Sequence, residues 1–232
     1  MLNNRFASFH NYHRNQAAII VANGPSLNKT DLNLIRSYPT IGLNKIFLGF
    51  NDLGFYPRYY AAVNDLVIEQ SEAEIKRLNC VKFISKRNSK VIPEDALTYH
   101  INTCFPPAKF CKDIQDGVNE GGTVTYVALQ IAYYLGFKTV IIVGMDHNFA
   151  FTGNPNETHT IKEADPNHFS SAYFGYGQKW DNPDLEKSEK SYALARRVYE
   201  ADGRSILDAT IGGKCTIFEK VDYDEYFKKN FS

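Results

Sequence analysis

Uninterrupted apolar runs alternate along the chain with amphipathic stretches, and that alternation predicts the fold. Ala17-Ala18-Ile19-Ile20-Val21-Ala22 holds no polar residue, the pattern of a strand buried on both faces, as strands of a parallel sheet are. It runs into Asn23-Gly24-Pro25-Ser26 and then into a short helix over 31–36 carrying Leu32, Leu34 and Ile35. Short strands are predicted over 40–44, 59–63 and 81–85, with a helix over 69–78 that keeps its charges on the outer face. Residues 123–135 place Val124, Val127, Ala128, Ile131, Ala132 and Leu135 at helical spacing, and Gly136 ends that helix. A buried strand over 139–143 follows, closed by Gly144. A helix over 185–201, a turn at Asp202-Gly203, a strand over 205–207 and a helix over 222–229 complete the series.

Residues 150–183 break the alternation. They are rich in Gly, Pro, Asn, His and aromatic residues and have no clear period; a segment this long between elements is expected to be a functional lid. Everything else reads as α/β: a doubly wound, mostly parallel, Rossmann-like sheet in a single domain over 1–232, with the lid inserted. Sheets of this kind bind ligands beyond the carboxyl ends of their strands, where the strand order reverses. The loops after Ala22, Asn44, Val63 and Val143 are therefore the places to look for chemistry.

Composition narrows the picture. Lys+Arg and Asp+Glu both number 26, and the resulting net charge of zero argues against a nucleic-acid partner, which calls for excess positive charge. The apolar runs are too short to cross a bilayer, so membrane contact is expected to be peripheral at most. Residues 1–16 mix Asn, Arg and His without the apolar stretch of a signal peptide. The four cysteines form no C-x-x-C pair, which points to a reducing, cytoplasmic compartment and away from a disulfide or zinc framework.

The loop Asn23-Gly24-Pro25-Ser26-Leu27 is the most distinctive. Gly24 permits close approach of a ligand or backbone, Pro25 presets the turn, and Ser26 suits a helix cap whose free N–H groups face an anion. The loop is neither a phosphate-binding G-x-x-x-x-G-K-[ST] nor a G-x-G-x-x-G fingerprint, and a plain capped turn is the other reading. Asn44 and the Asn64-Asp65 pair end strands, where amides suit a base or ribose and an acid suits a hydroxyl or metal; they equally begin turns. Glu120-Gly121-Gly122-Thr123 precedes the most regular helix, either as a second set of phosphate-facing donors or as glycines that let a buried helix pack closely. Asp146 and His147 are adjacent, so their side chains diverge and do not form a dyad, although each can act alone. In the lid, His159 and His168 lie among aromatic residues that include Trp180, the only tryptophan. Asp146, His147 and His159 do not have zinc spacing, and His10 and His13 are expected to be solvent-exposed.

Together, Asn23-Gly24-Pro25-Ser26-Leu27, Gly42-Leu43-Asn44, Asn64-Asp65, Gly122-Thr123-Val124 and Gly144-Met145-Asp146-His147 resemble the MptE-like proteins. That family takes its name from an archaeal 6-hydroxymethylpterin diphosphokinase, and its bacterial members sit among surface-polysaccharide genes. The likeness continues through Pro166-Asn167-His168-Phe169 and Asp208-Ala209-Thr210-Ile211-Gly212-Gly213-Lys214. The same order of loops is similar to the small bacterial CMP-sialic-acid-dependent sialyltransferases and the flagellin-glycosylation motility accessory proteins.

The resemblance implies a nucleotide-sugar-dependent glycosyltransferase of surface-polysaccharide biosynthesis, using a CMP-activated acidic sugar of sialic acid or Kdo type. Asn23, Gly24, Pro25, Ser26, Asn44, Asn64, Asp65, Gly122 and Thr123 would bind the nucleotide or the sugar beside it. The acceptor would be a glycan or a lipid-linked glycan, no metal cofactor would be needed, and homo-oligomerisation is open. Two departures bear on catalysis. His147-Asn148-Phe149 stands where the sialyltransferases place phosphate-supporting tyrosines, and Trp180-Asp181-Asn182 stands where they carry a His base. His168 or His147 would then substitute, with Asp146 as the nearby acid. The alternatives are a Mg²⁺-dependent ATP diphosphokinase acting on a hydroxymethylpterin-like substrate, with Asp65 and Asp146 holding the ion, or a non-catalytic nucleotide- or glycan-binding protein.

Overall fold

A computed structural model describes residues 5–105 and 108–229; residues 1–4 of the polar N-terminal stretch lie outside the described residues. Twelve strands occur in it: β1 (Ala17–Val21), β2 (Thr40–Leu43), β3 (Tyr59–Ala62), β4 (Val81–Ser85), β5 (Thr98–Ile101), β6 (Thr103–Cys104), β7 (Val118–Asn119), β8 (Thr139–Val143), β9 (Thr158–Thr160), β10 (Lys179–Asp181), β11 (Ser205–Asp208) and β12 (Glu219–Lys220). The α-helices are α1 (Phe50–Leu53), α2 (Asp65–Gln70), α3 (Glu72–Arg77), α4 (Val124–Tyr134), α5 (Leu185–Ala201) and α6 (Tyr223–Lys229). Eight strands form one sheet in the order β12-β11-β8-β1-β2-β3-β4-β5, and every pair in it is parallel. The fold is the α/β, Rossmann-like arrangement that the apolar runs predict.

Those runs are continuous because both faces of the sheet are covered. Ile20, Ile41, Ala61 and Ile142 point into one core with α4 and α5 residues such as Val127, Ile131 and Ala195. Their neighbours Ile19, Tyr60, Ile141 and Val143 point into a second core, built with Val67 and Ile68 of α2, Ile75 of α3 and Phe227 of α6. Burying apolar area contributes about 25 cal/mol per Å², so each strand position is fixed by one layer or the other.

Several expectations change. The helix over 69–78 is two helices: α2 starts earlier, where Asn64 Oδ1 accepts from Val67 N at 3.0 Å, and Ser71 (φ −133°, ψ 26°) breaks the run before α3. The helix over 31–36 is a 3-10 turn, Leu32–Ile35, capped by Asp31. The edge strand β5 has half-buried Tyr99 and His100 at its centre and lacks the apolar run that marks its neighbours. Residues 150–183 carry the antiparallel pair β9–β10 and bury Phe169, Tyr173 and Phe174 in the second core, so the segment is packed, not loose. His13 is buried, not exposed: its ring stacks on Phe137 at 4.5 Å and Nε2 lies 2.7 Å from the Tyr59 hydroxyl.

Candidate functional site

β1 lies between β2 and β8, so the strand order reverses between β1 and β8, and a crevice opens there at the strands' carboxyl ends. The loops leaving the two strands are bonded together. Gly24 N donates to Gly144 O at 2.8 Å. The Asp146 carboxylate takes the Ser26 backbone N–H at 3.1 Å on Oδ1 and the Ser26 hydroxyl at 2.6 Å on Oδ2. A Cβ on Gly24 would fall inside the Asp146 carboxylate, so glycine is required there for this contact. The turn that follows is a 3-10 helix, Pro25–Lys29, with Pro25 at its first position and Gly24, not Ser26, at its cap. The donors of Ser26 predicted to face a ligand anion therefore face the protein's own carboxylate.

Beside this contact lies a cavity of about 140 Å³ bordered by Asn23, Gly24, Asn44, Gly122, Thr123, Asp146, His147 and His168. Asn23 is only 7% exposed; its Nδ2 donates to Leu43 O at 2.9 Å, while its Oδ1 is buried with no partner. Asn44 is held in the left-handed region (φ 46°), and its Oδ1 is likewise buried and unpartnered. Buried acceptors without donors are costly to the fold, and a ligand bearing N–H or O–H groups would satisfy them.

The N-terminus of α4 opens on the same cavity. Thr123 Oγ1 caps it, accepting from Thr125 N at 3.3 Å. The two glycines before it divide the two readings of that motif. Gly121 (φ 56°) is packed against Tyr126 and Ser191, whereas Gly122 (φ 85°) lines the cavity and would bring a Cβ within 3.2 Å of the Lys187 stem. α5 thus brings the stem of a lysine beside the positive end of an eleven-residue helix, an arrangement suited to an anion. Nothing local in the sequence marks Lys187, since it reaches Gly122 only because α5 packs on α4.

Asn64 and Asp65 sit outside this inner cavity. They border an adjoining chamber of about 590 Å³ that shares Asn44, Gly122, Thr123, Phe149 and His168 with it. Asn64 is occupied as the cap of α2, and Asp65 Oδ1 meets Arg87 Nη2 at 3.2 Å. Arg87 is also held by Glu120 at 2.6 Å.

The two candidate imidazoles differ. His147 (φ 52°) turns its Nε2 to Glu189 on α5 at 2.9 Å, so it and Asp146 diverge. His168 Nδ1 lies 2.7 Å from Oδ2 of Asp165, which is itself buried. A carboxylate only accepts, so Nδ1 carries a proton, and in the neutral imidazole the lone pair is on Nε2. Among the described residues Nε2 has no hydrogen-bond partner, and the ring borders both cavities. The imidazole lies flat on Tyr173, 3.7 Å between centroids and 2° from parallel. Tyr173 is fastened by Lys45, whose buried Nζ donates to Tyr173 O at 2.7 Å and Gln178 Oε1 at 2.9 Å. Burial lowers the Lys45 ammonium from its ordinary 10.5 to about 8, with Glu74 and Asp165 opposing. Sequence reasoning missed Asp165 and Lys45. Asp165 was readable as an i, i+3 partner of His168, but Lys45 looks like an ordinary surface lysine. Among the described residues no three His, Cys, Asp or Glu side chains gather as a metal-ligand set, and no helix is long and apolar enough to cross a membrane.

A parallel α/β sheet with its crevice at the β1/β8 reversal defines a Rossmann-like α/β protein. The chain belongs to the MptE-like family: residues 1–152 match the family described as 6-hydroxymethylpterin diphosphokinase MptE-like. No curated protein matches the sequence. Among solved structures, the fold is similar to that of the MAf glycosyltransferase from Magnetospirillum magneticum AMB-1, with a TM-score of 0.58 and 14% identity. The likeness covers 95% of this chain and 37% of that one.

Proposed function

We propose that the protein is a glycosyltransferase of glycan biosynthesis that takes its sugar from a CMP-activated donor, acidic by its resemblance to the sialyltransferases, and passes it to a glycan or lipid-linked acceptor. The observation that carries this reading is the His168–Asp165 couple on the boundary of the two cavities. The nucleotide occupies the inner cavity. Its N–H and O–H groups meet the unpartnered Asn23 and Asn44 oxygens, and its phosphate meets the α4 N-terminus and Lys187. The acceptor hydroxyl gives its proton to His168 Nε2 as its oxygen bonds to the anomeric carbon. The bond from that carbon to the phosphate oxygen breaks, and CMP leaves with the electron pair. Asp165 fixes the tautomer and stabilises the imidazolium. The related fold of a glycosyltransferase supports the reading, and a cytoplasmic site of action fits an activated-nucleotide donor.

The family description favours a second reading, ATP-dependent diphosphate transfer. It fits these side chains less well, because the carboxylates available for Mg²⁺ are engaged: Asp65 with Arg87 and Asp146 with Ser26. The deciding experiment incubates the protein with CMP-activated sugars, with and without acceptor glycans, and follows CMP release. Release that depends on His168 supports the transferase. Release of AMP from ATP and Mg²⁺, with no CMP from any CMP-activated sugar, replaces it with the diphosphokinase.

A further inference from the structure

The outer chamber has a chemistry of its own. Four carboxylates border it, those of Asp65, Glu120, Asp181 and Asp184, against the two cations Arg87 and Lys187. Arg87 is already paired with Asp65 and Glu120, and the stem of Lys187 runs beside Gly122. The outer wall is therefore electronegative. Asp181 uses Oδ1 on the Thr158 hydroxyl at 2.6 Å and keeps Oδ2 without a partner among the described residues. Asn182, 2% exposed, donates through Nδ2 to Thr152 O and Asn154 O and leaves its Oδ1 buried without a donor.

Acceptor oxygens alone do not select a sugar, but two aromatic faces accompany them. Phe105 is 54% exposed at the chamber wall, with the Arg87 guanidinium 5.2 Å from its ring centroid, and half-buried Trp180 of β10 belongs to the same lining. A pyranose ring presents C–H groups on one face and hydroxyl donors around its rim. The faces suit aromatic rings and the hydroxyls suit carboxylate and amide oxygens. An anionic sugar would meet like charges in a partly desolvated chamber, which costs binding.

We infer that the outer chamber is a binding site for a neutral saccharide, excluding uronic, sialylated, sulfated and phosphorylated units. It rests on the transferase reading only in making that saccharide the acceptor, whose hydroxyl reaches His168 from the outer side. Trp180, being the only tryptophan, reports directly on the site. Titrating the nucleotide-free protein with lactose and N-acetyllactosamine, and in parallel with 3′-sulfated lactose and sialyllactose, reads the selectivity from Trp180 emission. The expected result is a saturable millimolar response to the neutral pair, at least tenfold weaker for the anionic pair, with Asp181→Asn and Phe105→Ala each weakening the neutral response several-fold. Equal or tighter binding of the anionic saccharides overturns the inference, as does the absence of a saturable response to any of them. A calorimetric titration with CMP on the same protein separates the two proposals. CMP binding without saccharide binding removes this inference alone, whereas saccharide binding without nucleotide binding removes the transferase and leaves a glycan-binding protein.

Discussion

Ser26 and Asp146, 120 residues apart, are joined by a 2.6 Å hydrogen bond from the Ser26 hydroxyl to Asp146 Oδ2. The bond locks the loop after β1 to the loop after β8 across the reversal of the sheet. It also fills, from within the protein, the place where a ligand's phosphate was expected. In the proposed transferase the anion would instead meet the α4 N-terminus, where Gly122 lines the cavity and the Lys187 stem lies beside it.

Asp146→Asn is therefore expected to destabilise the fold rather than to abolish a chemical step. A hydrogen bond to a charged group contributes about 1.5–3 kcal/mol, so the variant should lose about that much in denaturant unfolding, and Ser26→Ala somewhat less. CMP affinity unchanged in Ser26→Ala would confirm that the phosphate does not sit on this loop.

Lys187→Met should weaken CMP binding about tenfold, corresponding to about 1.4 kcal/mol, while leaving cytidine affinity unchanged. Calorimetry with the two ligands checks it. Equal loss for both would place Lys187 at the base or ribose rather than at the phosphate.

His168→Gln is expected to lower acceptor-dependent CMP release by about 10²–10⁴-fold, the contribution typical of a general base. Asp165→Asn should lower kcat with little change in KM for the donor, because Asp165 orients the imidazole without touching the nucleotide. A rise in KM at constant kcat would make Asp165 a structural support of the segment instead.

Lys45 gives a pH dependence with a definite sign. Its folded-state value of about 8 lies below the ordinary 10.5, so below pH 8 both folded and unfolded chains carry the proton and the cost of burying the charge is present in full. Between about 8 and 10.5 the unfolded chain holds a proton that the folded chain has released, and stability rises with pH. The neutral amine still has two hydrogens for Tyr173 O and Gln178 Oε1. The thermal midpoint of the wild type minus that of Lys45→Met should therefore increase across this window.

The elements read correctly from sequence are those whose pattern is set by burial on both faces. β1 and β8 are continuous apolar runs because two cores flank them. β5 escaped because it is an edge strand with half-buried Tyr99 and His100 at its centre, and the break at Ser71 carries no proline or glycine to announce it. The loops at the carboxyl ends were found because topology alone selects them. Their internal contacts were not: nothing near Ser26 signals a partner 120 residues away, and nothing near Lys45 shows that it is buried under Tyr173 and Gln178.

The family match ends at residue 152, past the end of β8 and at the start of the segment that bears Asp165, His168 and the β9–β10 hairpin with Trp180. One wall of the cleft thus lies within the matched residues, and the other comes from the segment between β8 and α5. That segment adds no strand to the main sheet, since β9 and β10 pair only with each other, yet it buries Phe169, Tyr173 and Phe174 against one face of it. Changing what the cleft accepts on that side therefore spares the sheet's pairings but disturbs the packing beneath it.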